Sequence, residues 1–282
     1  MLAGKWDGKA GNEMFMYAGS YSIAKANGLP LYFYDHNNIK EVFHITSKFV
    51  SRSDIEQFNG TKKFSQIGES CGFDRTMFDI SHDTDTLIMA YMWSWLYFED
   101  YDDDIQREFT FKPEILEEAA AKLKSKTKNI VLGNGVSASL VGVHIRRGDT
   151  LNPGIQQLGR IQPPLTYYYN AMDYYKQKFG EHTIFVYCSD DMDWVEDNFK
   201  NVTDRYNMVF MDSGNSWAVD MAILTQCDHS IISTGTYGWW AAYLTCGTVV
   251  HYKHVAREGS GIRRQFSQDL QDYLYPGWIS ME

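Results

Sequence analysis

Between residues 140 and 252 the chain repeats one pattern, a short apolar run closed by a turn and followed by a longer stretch with apolar residues at helical spacing. Runs at 140–145, 183–187, 208–211, 229–233 and 249–252 are predicted as buried strands, and 165–179, 192–199, 218–226 and 237–244 as helices. Strands that alternate with helices imply a mostly parallel sheet, because parallel neighbours need a crossover between them. Ligands of such sheets bind beyond the carboxyl ends of the strands, so chemistry is expected in five loops.

The first half is less regular. After the turn Gly8-Lys9-Ala10-Gly11-Asn12, the residues Met14, Tyr17, Ala18, Tyr21 and Ala24 recur at helical spacing, Asn27-Gly28 supplies a stop, and 29–34 reads as a strand. That order is like half of a nucleotide-binding fold, although glycine before a helix also serves as a simple cap. Residues 35–72 show polar loops and short apolar runs and carry no assigned chemistry. The aromatic cluster 91–101 reads as core packing, Asp102-Asp103-Asp104 as a solvated acidic turn and 113–124 as a helix. Four lysines within 122–128 and small polar residues at 133–139 mark a change of domain, giving expected domains 1–135 and 136–282.

Composition excludes more than it assigns. A net charge of −10 argues against nucleic-acid and anionic-membrane partners, which need a basic footprint, so any phosphate site must be local. Cys71, Cys188, Cys227 and Cys246 form no C-x-x-C pair and lack zinc-spaced histidines, which argues against a structural metal. Residues 230–250 carry no charge and are long enough to cross a bilayer, yet their three glycines and six Ser/Thr residues predict strand, loop, helix and strand in a folded core. Nothing at the N-terminus reads as a signal peptide, so the chain as written is expected to be soluble, without membrane contact.

The loop after Val141-Gly142-Val143-His144-Ile145 presents Arg146 and Arg147 side by side, then Gly148 and Asp149. Each guanidinium keeps its charge and needs an acceptor; a diphosphate, gripped through bidentate forks, is favoured over a salt bridge to Asp149 alone. Cys188-Ser189-Asp190-Asp191 opens a helix, where capping is the simpler role. Beyond Asp212-Ser213-Gly214-Asn215, Asp220 lies early in an apolar helix and either satisfies backbone donors or accepts an N–H pair, which guanine offers and adenine does not. Ser233-Thr234-Gly235-Thr236-Tyr237-Gly238 leads into the Trp239-Trp240 helix and reads both as a glycine turn and as an anion nest.

These motifs resemble the α-1,2-fucosyltransferases, inverting enzymes that transfer fucose from GDP-β-L-fucose, commonly to the 2-hydroxyl of a terminal galactose. The opening Gly8-Lys9-Ala10-Gly11-Asn12-Glu13-Met14 is similar to the family's Gly-x-x-Gly-Asn-Gln-Met. The arginine motif, Ser189-Asp190-Asp191-Met192-Asp193-Trp194, Leu224-Thr225-Gln226-Cys227-Asp228-His229 and the run from Gly235 to Leu244 follow in the family's order across nearly the whole chain. The resemblance implies an α/β, GT-B-like fold, two Rossmann-like halves around a donor/acceptor cleft, with the acceptor side in 1–135 and GDP-fucose binding in 136–282. It also implies a galactose-terminated glycan acceptor and no metal or other cofactor. Arg146 and Arg147 are thereby assigned to the β-phosphate, Asn12 to the reacting sugar and Asp220 to guanine. Gly11, His144, Ser189, Asp190, Ser233, Thr234, Gly235 and Thr236 complete the expected donor contacts.

Glu13 stands for the usual Gln, Lys9 for Arg and Thr150 for an aromatic, and 151–164 departs from the family pattern, which leaves the acceptor open. Animal members carry an N-terminal membrane anchor that these 282 residues lack, implying a Golgi lumenal catalytic portion or a cytoplasmic member. The sequons Asn59-Gly60-Thr61 and Asn201-Val202-Thr203 fit the secretory pathway. The expected reaction is a single displacement that inverts β to α. Arg146, Arg147 and the 234–236 nest neutralise departing GDP, and Asp149, or second Glu13, accepts the hydroxyl proton. Two alternatives are a metal-dependent transferase built on Asp83-Thr84-Asp85, Asp102-Asp103-Asp104 or Asp191-Met192-Asp193, and a non-catalytic sugar-nucleotide-binding protein.

Overall fold

A computed structural model describes residues 2–4, 8–34, 39–51, 53–54, 62–64, 71–83, 85–128, 130 and 138–282. They divide into two compact units, Met1–Lys112 with Arg264–Pro276, and Pro113–Arg263 with Gly277–Glu282.

The first unit contains β1 (Leu2–Gly4), α1 (Ala10–Ala26), β2 (Leu31–Tyr34), α2 (Ile39–Val42), β3 (Lys48–Val50), β4 (Lys62–Phe64), β5 (Thr86–Ile88) and α3 (Asp102–Glu108). Its five strands are parallel in the order β3-β2-β1-β5-β4. Helix α1 buries Met14, Phe15, Tyr17, Ala18, Ile23 and Ala24, so it is a core helix rather than a surface one. It ends where Gly28 turns left-handed (φ +62°) and the Leu29 N–H reaches back to the Ala24 carbonyl at 2.9 Å. The middle of α1 is tied to α3. The Tyr17 hydroxyl donates to Glu108 at 2.6 Å, and the same carboxylate, only 4% exposed, accepts the Thr46 backbone N–H at 2.8 Å. Burial, then the Glu108 charge, pushes the Tyr17 phenol well above its ordinary range. The acidic triplet 102–104 is the first turn of α3, where carboxylates meet the positive helix end, and Asp104 also pairs with Lys25 and Arg107.

The second unit holds α4 (Pro113–Thr127), β6 (Ser139–Ile145), α5 (Pro153–Leu158), α6 (Leu165–Phe179), β7 (Thr183–Ser189), α7 (Met192–Phe199), β8 (Asn207–Phe210), α8 (Trp217–Thr225), β9 (His229–Ile232), α9 (Thr236–Thr245), β10 (Val249–Tyr252) and β11 (Ile279–Met281). Its six strands are all parallel, in the order β11-β10-β9-β6-β7-β8. The chain lays β7 and β8 on one side of β6, then returns to build β9, β10 and β11 on the other. Strand order therefore reverses between β6 and β9, which opens a crevice at their carboxyl ends. Val141, Val143, Ile145, Phe185, Tyr187, Ile231 and Val250 pack with Tyr167, Tyr168 and Tyr175 of α6 in one core. Two of these phenols find acceptors: Tyr167 donates to the Ile232 carbonyl and Tyr175 to that of Thr248, both at 2.7 Å, which fixes α6 across the sheet.

The predicted helices and strands of this unit lie within one or two residues of the observed ones, except that α4 runs three residues past its predicted end at Lys124. The division differs from the expected 135/136 boundary. Helix α4 buries Ala119 and Leu123 and packs against α8, which carries it into the second unit, while residues 264–276 return to the first. Residues 135 and 136 themselves, like Thr84 and the sequon 59–61, lie outside the described residues.

Replacing Glu108 by Ala leaves Tyr17 and the Thr46 N–H without their buried acceptor and is expected to cost about 3 kcal/mol, against about 1 kcal/mol for Tyr17→Phe. Urea unfolding of the two variants reads this directly, and equal midpoints for Glu108→Ala and the parent would show that the carboxylate does not anchor α1.

Candidate active site

The loops that leave β6 and β9 are joined at the point of strand reversal. The Ser233 N–H donates to the His144 carbonyl at 3.1 Å, and the Ser233 hydroxyl accepts the Arg146 N–H at 2.9 Å. Arg146 Nη2 lies 2.9 and 3.1 Å from the two oxygens of Asp149, three residues on. Gly235 sits against the same guanidinium with φ +106°, and a Cβ there would stand 2.9 Å from Arg146 Nη1. Glycine is thus required twice over, by backbone and by contact. Gly235 also begins α9 without a side-chain cap, and Thr236 opens the helix. The Thr234 hydroxyl reaches the Ile161 carbonyl at 3.5 Å.

Arg147 is held differently. Its N–H donates to Asp190 at 2.7 Å, its Nε to Asp191 at 2.9 Å, and its guanidinium carbon lies 3.7 Å from the centroid of the Trp194 ring. Its two terminal nitrogens make no hydrogen bond to protein among the described residues. Asp191 caps α7 through its other oxygen, which accepts the Trp194 N–H at 3.3 Å, and its own N–H donates to Ser189. The capping expectation therefore holds for Asp191, whereas Asp190 supports the arginine loop. A Cβ on Gly148 would overlap the Asp190 carboxylate, so the loop needs glycine there too.

Beneath Arg146 lies His144, buried against Tyr237 with ring centroids 5.0 Å apart. Burial, and secondly the Arg146 charge, pushes its imidazole down to about 3, so it is neutral throughout the physiological range. Asp220 stands in the first turn of α8, whose N-terminus is capped by Ser216. It is half-buried and accepts the Asn215 amide at 2.9 Å. Burial pushes this carboxyl up to about 6 despite hydrogen bonds from Asn215 and the Cys188 thiol, which lower it.

The second unit thus brings together His144, Arg146, Arg147, Asp149, Ser189, Asp190, Ser233, Thr234, Gly235 and Thr236. Gly11, Asn12 and Glu13 belong to the first unit. They lie in the first turn of α1, where the Asn12 N–H donates to the Lys9 carbonyl at 2.9 Å and Glu13 is 2% exposed. Asp191 and Trp194 are the residues the sequence reading left out of the site. An acid followed three residues later by an aromatic at a helix start was the available signal. Among the described residues, no group of three or more His, Cys, Asp or Glu side chains is placed to hold a metal ion. Nor is any helix long and apolar enough to cross a membrane; the uncharged 230–250 stretch holds β9, α9 and β10.

Two parallel α/β units, one with an arginine loop and a glycine loop meeting at its point of strand reversal, define the class of fold that binds nucleotides at a sheet end. The sequence profile of glycosyl transferase family 11 matches residues 11–282, and the chain belongs to that family. It is similar to galactoside alpha-(1,2)-fucosyltransferase 2 of Oryctolagus cuniculus, 28% identical over 97% of this chain and 75% of the relative. The enzyme of the same name from Gorilla gorilla gorilla is 29% identical over 99% of this chain and 80% of the relative. Among solved structures, POFUT1 in complex with GDP-fucose superposes with a TM-score of 0.52 at 12% identity, covering 87% of this chain and 94% of that one. At that identity the likeness speaks for the fold, which is GT-B-like as expected.

Asp220 supplies a pH signature. Its folded-state pKa lies above the unfolded value, so ionisation works against folding. The penalty is absent below about 4, where both states are protonated, and complete above about 6. Relative to Asp220→Asn, the parent protein is expected to lose stability as pH rises from 4 to 6 and to hold a constant difference beyond. A stability difference that stays flat across that window would remove the buried-carboxylate assignment.

Proposed function

We propose that the protein is an inverting fucosyltransferase that moves L-fucose from GDP-β-L-fucose to the 2-hydroxyl of a galactose-terminated glycan. The carrying observation is Arg147: an arginine held by its backbone N–H, its Nε and one guanidinium face at the point of strand reversal, with both terminal nitrogens unbonded to protein among the described residues. That fork suits two oxygens of a diphosphate. The first turn of α9, entered through Gly235, suits the remaining charge. Sugar and linkage are supported by the names of the relatives, galactoside alpha-(1,2)-fucosyltransferases, and by the GDP-fucose held by POFUT1.

In this reading the acceptor hydroxyl attacks the anomeric carbon as the bond to GDP breaks, and the configuration inverts. Arg147, Arg146 and the 234–236 loop stabilise the charge that develops on the departing diphosphate, a kind of contact worth about 3 kcal/mol each when preorganised. Asp220, ionised above pH 6, accepts the adjacent N–H groups of guanine. The family resemblance assigns Asn12 to the reacting sugar. Because the two guanidiniums and the helix start carry the positive charge, turnover is expected to survive excess EDTA. The direct test is transfer of labelled fucose from GDP-fucose to a panel of galactose-terminated and galactose-free glycans. An α-1,2-linked fucosyl galactose is the expected product, and absence of transfer to every galactose-terminated acceptor would sink the proposal.

Both oxygens of Asp149 face Arg146, which supports a positioning role over that of proton acceptor and leaves Glu13 as the other carboxylate for that task. Asp149→Asn keeps one acceptor for the guanidinium. It is expected to raise the donor KM while kcat at saturation falls less than about tenfold. A kcat loss of about a hundredfold or more at unchanged donor KM would return the base role to Asp149.

A further inference from the structure

Asp191 divides its two oxygens between the backbone of α7 and Arg147, taking the Trp194 N–H on Oδ1 and the Arg147 Nε on Oδ2. The residue whose N–H is capped is also the one whose indole covers the guanidinium, at 3.7 Å. Trp194 is itself supported, its ring edge-on to Phe199 at 6.5 Å and its carbonyl accepting the Asn198 amide at 2.8 Å. It is only half-buried, unlike the tryptophans Trp239 and Trp240, which are fully enclosed in the core. A tryptophan serving the core alone would be covered on both faces; here one face is spent on a cation. The Arg147 side chain is 15% exposed, with its backbone N–H, its Nε and one face of its plane all engaged. An arginine left to itself samples many rotamers, and stacking on an indole removes that freedom while leaving the terminal fork available.

We propose that Trp194 is a positioning residue of the transfer reaction. Its indole face, together with Asp191, holds the Arg147 guanidinium in the plane in which both terminal nitrogens meet a nucleoside diphosphate. This rests on the reading of the donor as a guanine nucleotide diphosphate. Nothing covalent passes through Trp194; it acts through Arg147 alone, and the two residues form one energetic unit.

The test compares GDP with guanosine, which shares the base and ribose but has no phosphate for Arg147 to hold. Binding of both is measured by calorimetry for the parent protein and for Trp194→Leu, Trp194→Phe, Arg147→Lys and the Trp194→Leu/Arg147→Lys pair. Circular dichroism checks that each is folded. Trp194→Leu is expected to weaken GDP about tenfold, to leave guanosine unchanged and to raise the donor KM more than it lowers kcat. Trp194→Phe, which keeps an aromatic face, is expected to recover most of the loss and reads the same ratio if the leucine variant does not fold. The pair should bind GDP no more weakly than Arg147→Lys alone, because lysine has no planar fork for the indole to orient. Equal losses for GDP and guanosine, or losses that multiply in the pair, overturn the role of Trp194 while leaving the donor reading intact. A parent protein that binds GDP no more tightly than guanosine overturns both.

Discussion

Two guanidiniums stand side by side at the end of β6, a strand sealed between layers of helix, and neither can shed its charge. Much of the local architecture supplies them with acceptors. Arg146 receives Asp149 from its own turn; the Arg147 guanidinium receives Asp191 from the end of the neighbouring strand β7, and its backbone N–H receives Asp190. The parallel pairing of β6 with β7 places Ile145 opposite Ser189, so the residues that follow each strand emerge at the same height and meet without a detour of chain. Sheet register thus decides which carboxylate serves which arginine.

The two arginines are satisfied to different degrees, and that difference separates their roles. Arg146 has one terminal nitrogen shared between two carboxylate oxygens and the other against Gly235, so its position is set by the loops on both sides of the crevice. Arg147 is gripped at Nε and on its face, which leaves its fork outward. Glycines make the close approaches possible. At 148 a side chain would strike Asp190, at 235 Arg146 and at 238 His144. These three glycines are therefore spacers for ionic and aromatic neighbours, and of them only Gly235 is also demanded by a positive φ.

How much of this was legible in the sequence follows from element length and from the range of each contact. The second sheet could be read nearly strand by strand, because its runs are apolar on both faces and its helices long enough to show a period. The three-residue strands β1, β3, β4, β5 and β11 have no counterpart among the predicted elements; three residues carry no periodicity to detect. The return of 264–276 to the first unit was invisible for a different reason, being a matter of tertiary contact in a stretch of turns. In the site, the arginine pair, its glycines and Asp220 stood out as charges or turns in apolar surroundings. Asp191 read as a helix cap, or as part of an acidic triplet, but not as a partner of Arg147, since one of its two bonds is local and the other spans 44 positions.

His144 shows how the same electrostatics narrows the chemistry. A histidine beside two arginines at a sheet end invites assignment as a general base, yet burial and the Arg146 charge hold it neutral down to about 3. An imidazole so reluctant to take a proton is a poor partner for a sugar hydroxyl at neutral pH. Its packing agrees, with one ring face on Tyr237 and Nδ1 against the space that Gly238 leaves vacant. The histidine is then a spacer under Arg146, neutral first because it is buried and second because that arginine is charged, and in the proposed reaction the proton of the attacking hydroxyl is left to a carboxylate. With Asp149 bonded to Arg146 through both oxygens, the proposed reaction turns to a second acidic group for that proton.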